Sequence, residues 1–426
     1  MYIYSDSSKR VRSGLQEPRV TLRQSQPYRY DDHLVPVGGL EQQRRSLFLP
    51  SALAGLADSE NLDEVIKNLR QTLPKCSLLD FLRHVAPKEV CTFDLGKTRN
   101  GRDIAAFFFP GTTERRAIVL AGVHGSELSG IEVALLLIKT LFEESKKGTK
   151  PHFNVIVVPE VFPDNSNDAR TAAKKPGADA NDPGRFTPAA LCAKRLDCGG
   201  KLVCVDPNRQ FPTPGRPADF RNPVDSMGTE IEPENVAILG LIHGFGPSRV
   251  ASVHAHKMPG TMSRNQDAPG IFADPHTVPA SAAGTAPANI QAEIQDAQNR
   301  TKEDCKLALK MATNFIAEYR KLKGKTTGGT DRVPGNWPDS KGKPTVCEYG
   351  SKAAHQCGIS LGGWGPRAIR GGRNGITVIT IEVRHYYPSN AKGGRGGKET
   401  SDGLANRLNE LKAYAAAIKD SFLGPP

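Results

Sequence analysis

Apolar residues along the chain recur with the spacing of either a strand or a helix. Between residues 117 and 138, a strand-like run and a helix-like run enclose a short polar segment. Ala117–Val123 is apolar and rich in β-branched residues, which is typical of a buried strand. The run after it places apolar residues at helical spacing, at Ile131, Leu135 and Ile138. Phe153–Pro159 has the composition of a second buried strand. This order predicts a β-α-β unit and a mainly parallel sheet.

The same two periods predict the other regular elements. Val90–Leu95 and Asp103–Phe109 alternate as strands do and flank turn residues, which indicates a hairpin. Two further apolar runs predict strands, Arg249–Val253 and Ile376–Val383. Helical periodicity predicts five more helices, at Leu62–Leu73, Leu78–Val85, Glu232–Phe245, Asn289–Leu322 and Leu404–Phe422.

Three segments rich in Gly, Pro or charged residues are predicted to be mainly irregular: Glu160–Asp225, Lys257–Ala288 and Thr326–Arg373. Loops of this length inside a compact domain are usually functional. There is no internal repeat and no low-complexity linker. We therefore expect an irregular N-terminal extension over residues 1–75 and one large domain over residues 76–426. The extension is a candidate arm for binding a partner.

Composition and net charge restrict the type of binding partner and the cellular location that can be expected for the protein. The formal net charge of +12 suits an anionic partner, although it also serves solubility. No run approaches the ~20 apolar residues of a membrane helix. Met1–Pro50 lacks the apolar core of a signal peptide, so the location of the protein is left open.

Cysteine positions favour disulfides over a metal knuckle. Cys192, Cys198 and Cys204 lie close together, and Cys347 and Cys357 form a second near pair. One or two disulfides are expected if the protein is exported. The sequence contains no CxxC motif, which argues against a zinc knuckle or a thioredoxin-like site.

Polar side chains stand at several predicted strand ends and loops, where open α/β sheets place their sites. They are His124 and Glu127, Asn208 and Arg209, His254 and His256, and Glu382. Two histidines and one glutamate form a ligand set for catalytic zinc, and a further carboxylate can accept a proton from water. Strand alternation puts His254 and His256 on the same side, so periodicity leaves both as candidate ligands.

At these positions the sequence resembles the zinc metallocarboxypeptidases of the carboxypeptidase A-like group, over roughly residues 86–424. The resemblance is carried by four motifs in the family's order: His124-Gly-Ser-Glu127, Asp206-Pro-Asn-Arg-Gln-Phe-Pro212, Ser252-Val-His254 and Thr380-Ile-Glu382-Val-Arg384. It implies an α/β fold with a mixed, mainly parallel central sheet flanked by helices, and long loops around the site. It also implies one Zn²⁺ per chain and hydrolysis of a peptide or amide bond near a free C-terminal carboxylate.

The resemblance also implies a role for each matching residue. Zinc ligands would be His124, Glu127 and His254, and Glu382 would be the general base. Asn208 and Arg209 would bind the substrate carboxylate, because a guanidinium pairs with a carboxylate through two parallel hydrogen bonds. Arg170 is the choice for stabilising the oxyanion, with Arg185 and Arg195 as rivals. Tyr349 is expected to close over the substrate.

Substrate class is the least defined part of this prediction. Ser360-Leu-Gly-Gly-Trp364 resembles a segment of bacterial family members that cleave peptidoglycan peptides, so ordinary peptides and cell-wall peptides are both expected substrates. Neither a nucleic-acid partner nor a membrane span is expected. Two alternatives remain: an aspartoacylase-like deacylase of a small N-acyl amino acid, and a binding protein that keeps the fold without catalysis.

Overall fold

The computed structural model describes residues 62–77, 81, 87–173, 194–196, 202–256, 270–276, 288–323, 358–367, 375–384 and 401–426. All of them belong to the unit Arg45–Pro426. Several predicted features lie outside the described residues: most of the helix Leu78–Val85, the arm before residue 62, Arg185, Tyr349, Cys192, Cys198, Cys347 and Cys357. The expected boundary between residues 75 and 76 stays a prediction.

A seven-stranded mixed sheet forms the centre of the fold, in the order β1-β2-β4-β3-β7-β9-β8. Its strands are β1 (Cys91–Lys97), β2 (Asp103–Phe109), β3 (Arg116–Ala121), β4 (Asn154–Val158), β7 (Arg249–His256), β8 (Gly270–Ala273) and β9 (Thr377–Arg384). Pairing is parallel between β4, β3, β7 and β9, and antiparallel in the three outer pairs. The predicted mixed α/β sheet is confirmed, with its parallel part in the middle. The carboxyl ends of these four strands therefore meet at one edge.

Helices cover both faces of this sheet. They are α1 (Leu62–Thr72), α2 (Leu128–Lys146), α3 (Pro163–Ala173), α4 (Pro233–Phe245), α5 (Ala288–Lys323), α6 (Leu361–Trp364) and α7 (Ser401–Ala417), which continues as a π-helical turn at Ile418–Phe422. One apolar core holds residues of α1, α2, α5 and α7, and the other holds residues of α4 and α6. No helix in the described part of the chain is long and apolar enough to cross a membrane.

Several regular elements lie in segments that we predicted to be mainly irregular. Helix α3 occupies Pro163–Ala173, where a polar sequence shows little apolar periodicity. Strand β8, Gly270–Ala273, is only four residues long and is held by antiparallel pairing with β9. A two-stranded ribbon, β5 (Lys194–Leu196) with β6 (Leu202–Cys204), also interrupts the first segment. Tertiary pairing and packing therefore stabilise these elements, since their own sequence patterns are weak.

The structure contains disulfides. The one in which both cysteines are described was not predicted. Cys76 and Cys91 are joined, which ties the segment after α1 to the first residue of β1. Cys204 and Cys305 each take part in a further disulfide. Four described cysteines are thus oxidised, which fits a protein matured under oxidising conditions.

Candidate active site

The turn between β3 and α2 carries two of the candidate ligands, and glycines set its shape. Gly122 has a φ of +67°, which favours glycine. A Cβ at Gly125 would lie 2.4 Å from the backbone of Asn165, so only glycine lets this turn pack directly on α3. Glu127 is the N-cap residue of α2. This packing fixes His124 and Glu127 at the carboxyl end of β3.

His254 completes a buried group of three side chains. Nδ1 of His124 lies 2.8 Å from one carboxylate oxygen of Glu127, and Nδ1 of His254 lies 2.8 Å from the other. One ligand atom from each of the three residues falls within 4.8 Å of the others. At most 6% of each residue is exposed, so all three donors point into the protein. The predicted residues His124, Glu127 and His254 are therefore brought together.

The far side of each imidazole is fixed by another residue. Nε2 of His124 hydrogen-bonds to Oδ1 of Asp206 at 2.8 Å, and Nε2 of His254 hydrogen-bonds to Oγ of Ser252 at 2.9 Å. The backbone N–H of Ala255 donates to Oε2 of Glu127 at 3.1 Å. Such outer partners select the ring tautomer and turn Nδ1 toward the centre of the group.

The donor set fits zinc. Two imidazole nitrogens and one carboxylate oxygen make a three-ligand set of the kind that leaves a fourth position open. Burial alone raises the pKa of Glu127, but the charges and hydrogen bonds of His124 and His254 outweigh it and hold that pKa well below its usual value. Glu127 is thus a carboxylate, the form in which it binds a cation.

Glu382 lies beside this group on the neighbouring strand. In the parallel register of β7 and β9, Glu382 is the partner of His254, so both side chains stand on the same face of the sheet. Only 7% of Glu382 is exposed. The hydroxyl of Tyr414 donates to the backbone carbonyl of Glu382, which anchors this end of β9 from the opposite layer. A buried carboxylate therefore adjoins the candidate metal ligands.

Asn208 and Arg209 lie in the short 3₁₀ turn Pro207–Arg209, which Asp206 caps. Oδ1 of Asp206 accepts from the backbone N–H of Asn208 at 2.8 Å as well as binding His124, so one carboxylate links this turn to the ligand group. Oδ1 of Asn208 accepts from the N–H of Leu361 at the start of α6, 3.3 Å away. Nη1 of Arg209 donates to the carbonyl of Asn208 at 2.7 Å.

The structure describes the side chain of one remaining candidate, only the backbone of two others, and neither for the last two. Arg170 is buried on α3, and its Nη1 lies 2.9 Å from Oε1 of Glu160. Arg195 lies on β5 and His256 ends β7, but the side chains of both fall outside the described residues. The choice between His254 and His256 thus rests on the observed contacts of His254. Arg185 and Tyr349 remain untested predictions.

Sequence reasoning missed the residues that hold the ligands in place. Asp206 was visible in the Asp-Pro-Asn-Arg motif, but nothing in the motif specifies a bond to His124 across 82 positions. Ser252 precedes His254 by two residues on a strand, and period-two alternation puts both on one face. That alternation was an available signal for Ser252.

Comparison with models of known protein families finds one that matches this chain. The model of the zinc carboxypeptidase family matches residues 76–296, which is 221 residues of 426 and just over half of the chain. The chain belongs to the zinc carboxypeptidase family. The match contains His124, Glu127 and His254, whereas Glu382 lies beyond its end. Membership supports a zinc metallopeptidase with the three-ligand site described above.

Several solved structures show a partial likeness to this chain. The chain is 13% identical to bovine thrombin-activatable fibrinolysis inhibitor in complex with tick carboxypeptidase inhibitor, covering 86% of this chain and 98% of that one, with a TM-score of 0.42. It is 16% identical to carboxypeptidase A from Helicoverpa armigera, covering 89% and 81%, with a TM-score of 0.43. A metallo-carboxypeptidase from Burkholderia cenocepacia is 16% identical, covering 80% and 67%, with a TM-score of 0.37. No curated protein sequence matches significantly.

Proposed function

We propose that the protein is a zinc-dependent carboxypeptidase that releases the last residue of a peptide with a free C-terminal carboxylate. The observation that carries this proposal is the buried group of His124, Glu127 and His254 with Glu382 in register beside it. A three-ligand cation site next to a further buried carboxylate has the parts that hydrolysis of an amide bond requires.

His124, Glu127 and His254 would hold the zinc, which would supply a Lewis acid for activating water and polarising the carbonyl of the scissile bond. Glu382 accepts the water proton on its carboxylate and later delivers a proton to the departing amine. Asp206 and Ser252 keep the imidazoles of His124 and His254 in the orientation that binding needs. Burial of Glu382 keeps bulk water from competing for its proton.

Substrate carboxylate binding is assigned to Asn208 and Arg209. Oδ1 of Asn208 is occupied by the N–H of Leu361, and Nδ2 has no partner among the described residues, so this amide N–H₂ is available to a ligand. Arg209 supplies a guanidinium that can pair with both carboxylate oxygens. The turn that bears them is tied to His124 through Asp206, a contact that supports a carboxylate site beside the metal site.

Arg170 is proposed to stabilise the negative charge that develops on the carbonyl oxygen. It lies on α3, the helix that packs on the turn bearing His124 and Glu127 through the contact between Gly125 and Asn165. Its Nη1 bonds to Glu160, which fixes the position of the guanidinium. A peptide is the proposed substrate, and bacterial cell-wall peptides are proposed as a class because their free carboxylates suit a chain with a net charge of +12.

A matched acid and amide pair tests the exopeptidase proposal. Arg209→Lys keeps the charge but loses the paired geometry, at a cost of roughly 2–3 kcal/mol for a charge-assisted contact. That corresponds to about a 30- to 150-fold lower kcat/KM. The loss is expected for a peptide ending in a carboxylate and largely absent for the same peptide ending in an amide. Arg216→Lys, an exposed position on the same loop, is the control. An unchanged acid-to-amide preference in Arg209→Lys contradicts the proposal.

A further inference from the structure

A cavity of about 920 Å³ lies at the edge of the sheet opposite the candidate metal site. Strands β7 and β9 begin there, at Arg249 and Thr377, and residues of α5 and of the last turn of α4 contribute to its described walls. His254 follows Arg249 by five residues along β7, which is about 17 Å at ~3.3 Å per residue. The cavity is therefore distinct from the site that contains His124, Glu127 and His254.

The described walls of this cavity carry more positive than negative side chains. There are four cationic residues and two acidic ones: Arg249, Arg300, Lys306, Lys310, Glu303 and Asp304. Both carboxylate oxygens of Asp304 are already bonded, Oδ2 to Nε2 of His276 at 2.8 Å and Oδ1 to Oγ1 of Thr377 at 2.7 Å. Glu303 pairs with Lys306 at 2.6 Å. Each acid is thus paired within the chain, and cationic side chains remain in excess.

Arg249, half-buried at the start of β7, forms no ion pair with a described residue. Its guanidinium carbon lies 4.8 Å from the ring centroid of Phe153, and its Nη1 donates to the backbone carbonyl of Phe422 at 3.0 Å. Burial and, next, the charge of Arg115 lower the pKa of Arg249, against an opposing contribution from Asp304. An arginine does not lose its proton in a protein, so the cost of holding this charge is relieved when an anion pairs with it.

The wall contributed by α5 supplies a second cation of this kind. Lys310 is exposed, its Nζ donates to the backbone carbonyl of Pro425 at 3.2 Å, and it forms no ion pair with a described residue. Arg300, by contrast, pairs with Asp296 at 3.1 Å. The cavity therefore contains two cations without an acidic partner in the described part of the chain, Arg249 on β7 and Lys310 on α5.

A second cavity of similar size shows the more usual arrangement of charge. It has a volume of about 850 Å³ and is lined by residues of α1 and β2. The arginines of its described lining are both neutralised within the chain, because Arg70 pairs with Asp94 and Asp103, and Arg102 pairs with Asp164. The unpaired arginine at the start of β7 is therefore not a general property of cavities in this protein.

We propose that this cavity binds a phosphate group, free or as the ester of a small molecule, between Arg249 and Lys310. A guanidinium pairs with two phosphate oxygens through parallel hydrogen bonds, and an ammonium adds a point charge, so a doubly negative group matches the two cations. The volume lies within the range of cavities that hold small molecules, which leaves room for the rest of an ester. This inference does not depend on the proposed carboxypeptidase function.

The test is calorimetric titration of the protein with inorganic phosphate and with glucose 6-phosphate, at constant ionic strength and with glucose as the uncharged control. We expect saturable binding that Arg249→Gln and Lys310→Gln each weaken by about 10- to 150-fold, the range for loss of a charge-assisted contact. Arg320→Gln removes a charge from an exposed position of the same helix, about 15 Å beyond Lys310. Because this distance exceeds the screening length, the control is expected to keep the affinity within about twofold.

The two probes distinguish the sources of the phosphate group. Tighter binding of glucose 6-phosphate supports an ester as the ligand, and equal affinity for both probes supports the free ion. Absence of saturable binding by either probe overturns the inference. A loss of affinity in Arg209→Lys instead of Arg249→Gln places the phosphate at the proposed substrate site and also overturns it. If Arg249→Gln does not fold, the comparison of Lys310→Gln with Arg320→Gln decides the question, because both positions are exposed.

Discussion

The buried carboxyl group of Glu234 allows a test of how burial shifts a pKa in this protein, and the test does not involve catalysis. It lies in the first turn of α4 and is 2% exposed. Its Oε1 accepts a 3.3 Å hydrogen bond from the backbone N–H of Arg99, and its Oε2 has no hydrogen-bond partner in the described structure. Burial, with smaller contributions from the charges of Glu232 and Asp164, raises the pKa of Glu234 from 4.5 to about 7.

The sign and size of the effect follow from linkage. Between pH 4.5 and 7 the folded protein keeps the proton of Glu234 while the unfolded chain releases it, so stability falls as the pH rises through this window. A difference of about 2.5 pKa units corresponds to roughly 3 kcal/mol at ~1.36 kcal/mol per unit. Glu234→Gln keeps the size of the side chain but cannot ionise, so it escapes this loss.

The assay is denaturant unfolding of both proteins at pH 5 and pH 8. Relative to the wild type, Glu234→Gln is expected to gain up to roughly 3 kcal/mol of unfolding free energy between the two pH values, since other titrations cancel in the difference. Glu303→Gln, at an exposed acid on α5, is the control and is expected to change by less than about 0.5 kcal/mol. An equal stability difference at both pH values would refute the raised pKa of Glu234.

Three further predictions concern the metal site and the core. Glu382→Gln is expected to retain zinc while turnover falls by at least ~10²-fold, and near-normal turnover would remove Glu382 from the mechanism. His254→Ala is expected to lose zinc and His256→Ala to keep it, as measured by elemental analysis, and the opposite pattern reverses the ligand assignment. Arg407→Met removes the ion pair with the buried Glu132 and is expected to cost about 3–5 kcal/mol in thermal or denaturant unfolding, a loss that adding Glu132→Gln should largely relieve.

Apolar periodicity was sufficient for the elements that have two buried faces or a wide apolar stripe. β3 and β4 contain unbroken apolar runs because helices cover both sides of the sheet, and α2 is buried along most of its length. The pattern fails for α3, whose polar sequence is stabilised by packing on Gly125, and for β8, whose four residues depend on the register of β9. Short or polar elements of this kind take their structure from partners distant in sequence.

The candidate ligands could be found from sequence because strand ends concentrate functional side chains at one edge of a parallel sheet. The contacts that support these ligands could not be found from sequence. The hydrogen bond between His124 and Asp206, for example, joins two loops that are distant in sequence. The disulfide Cys76–Cys91 was also missed, because cysteine counts do not define pairing.

The zinc content of the purified protein tests the central claim most directly, because the proposed chemistry depends on one cation held by His124, Glu127 and His254. The measurement is elemental mass spectrometry after dialysis against metal-free buffer, on the wild type, Glu127→Ala and Arg209→Lys. About one zinc per chain is expected in the wild type and in Arg209→Lys, and no stoichiometric zinc in Glu127→Ala. A wild type that neither contains zinc nor binds it when titrated, or a Glu127→Ala variant that keeps it, would contradict the account.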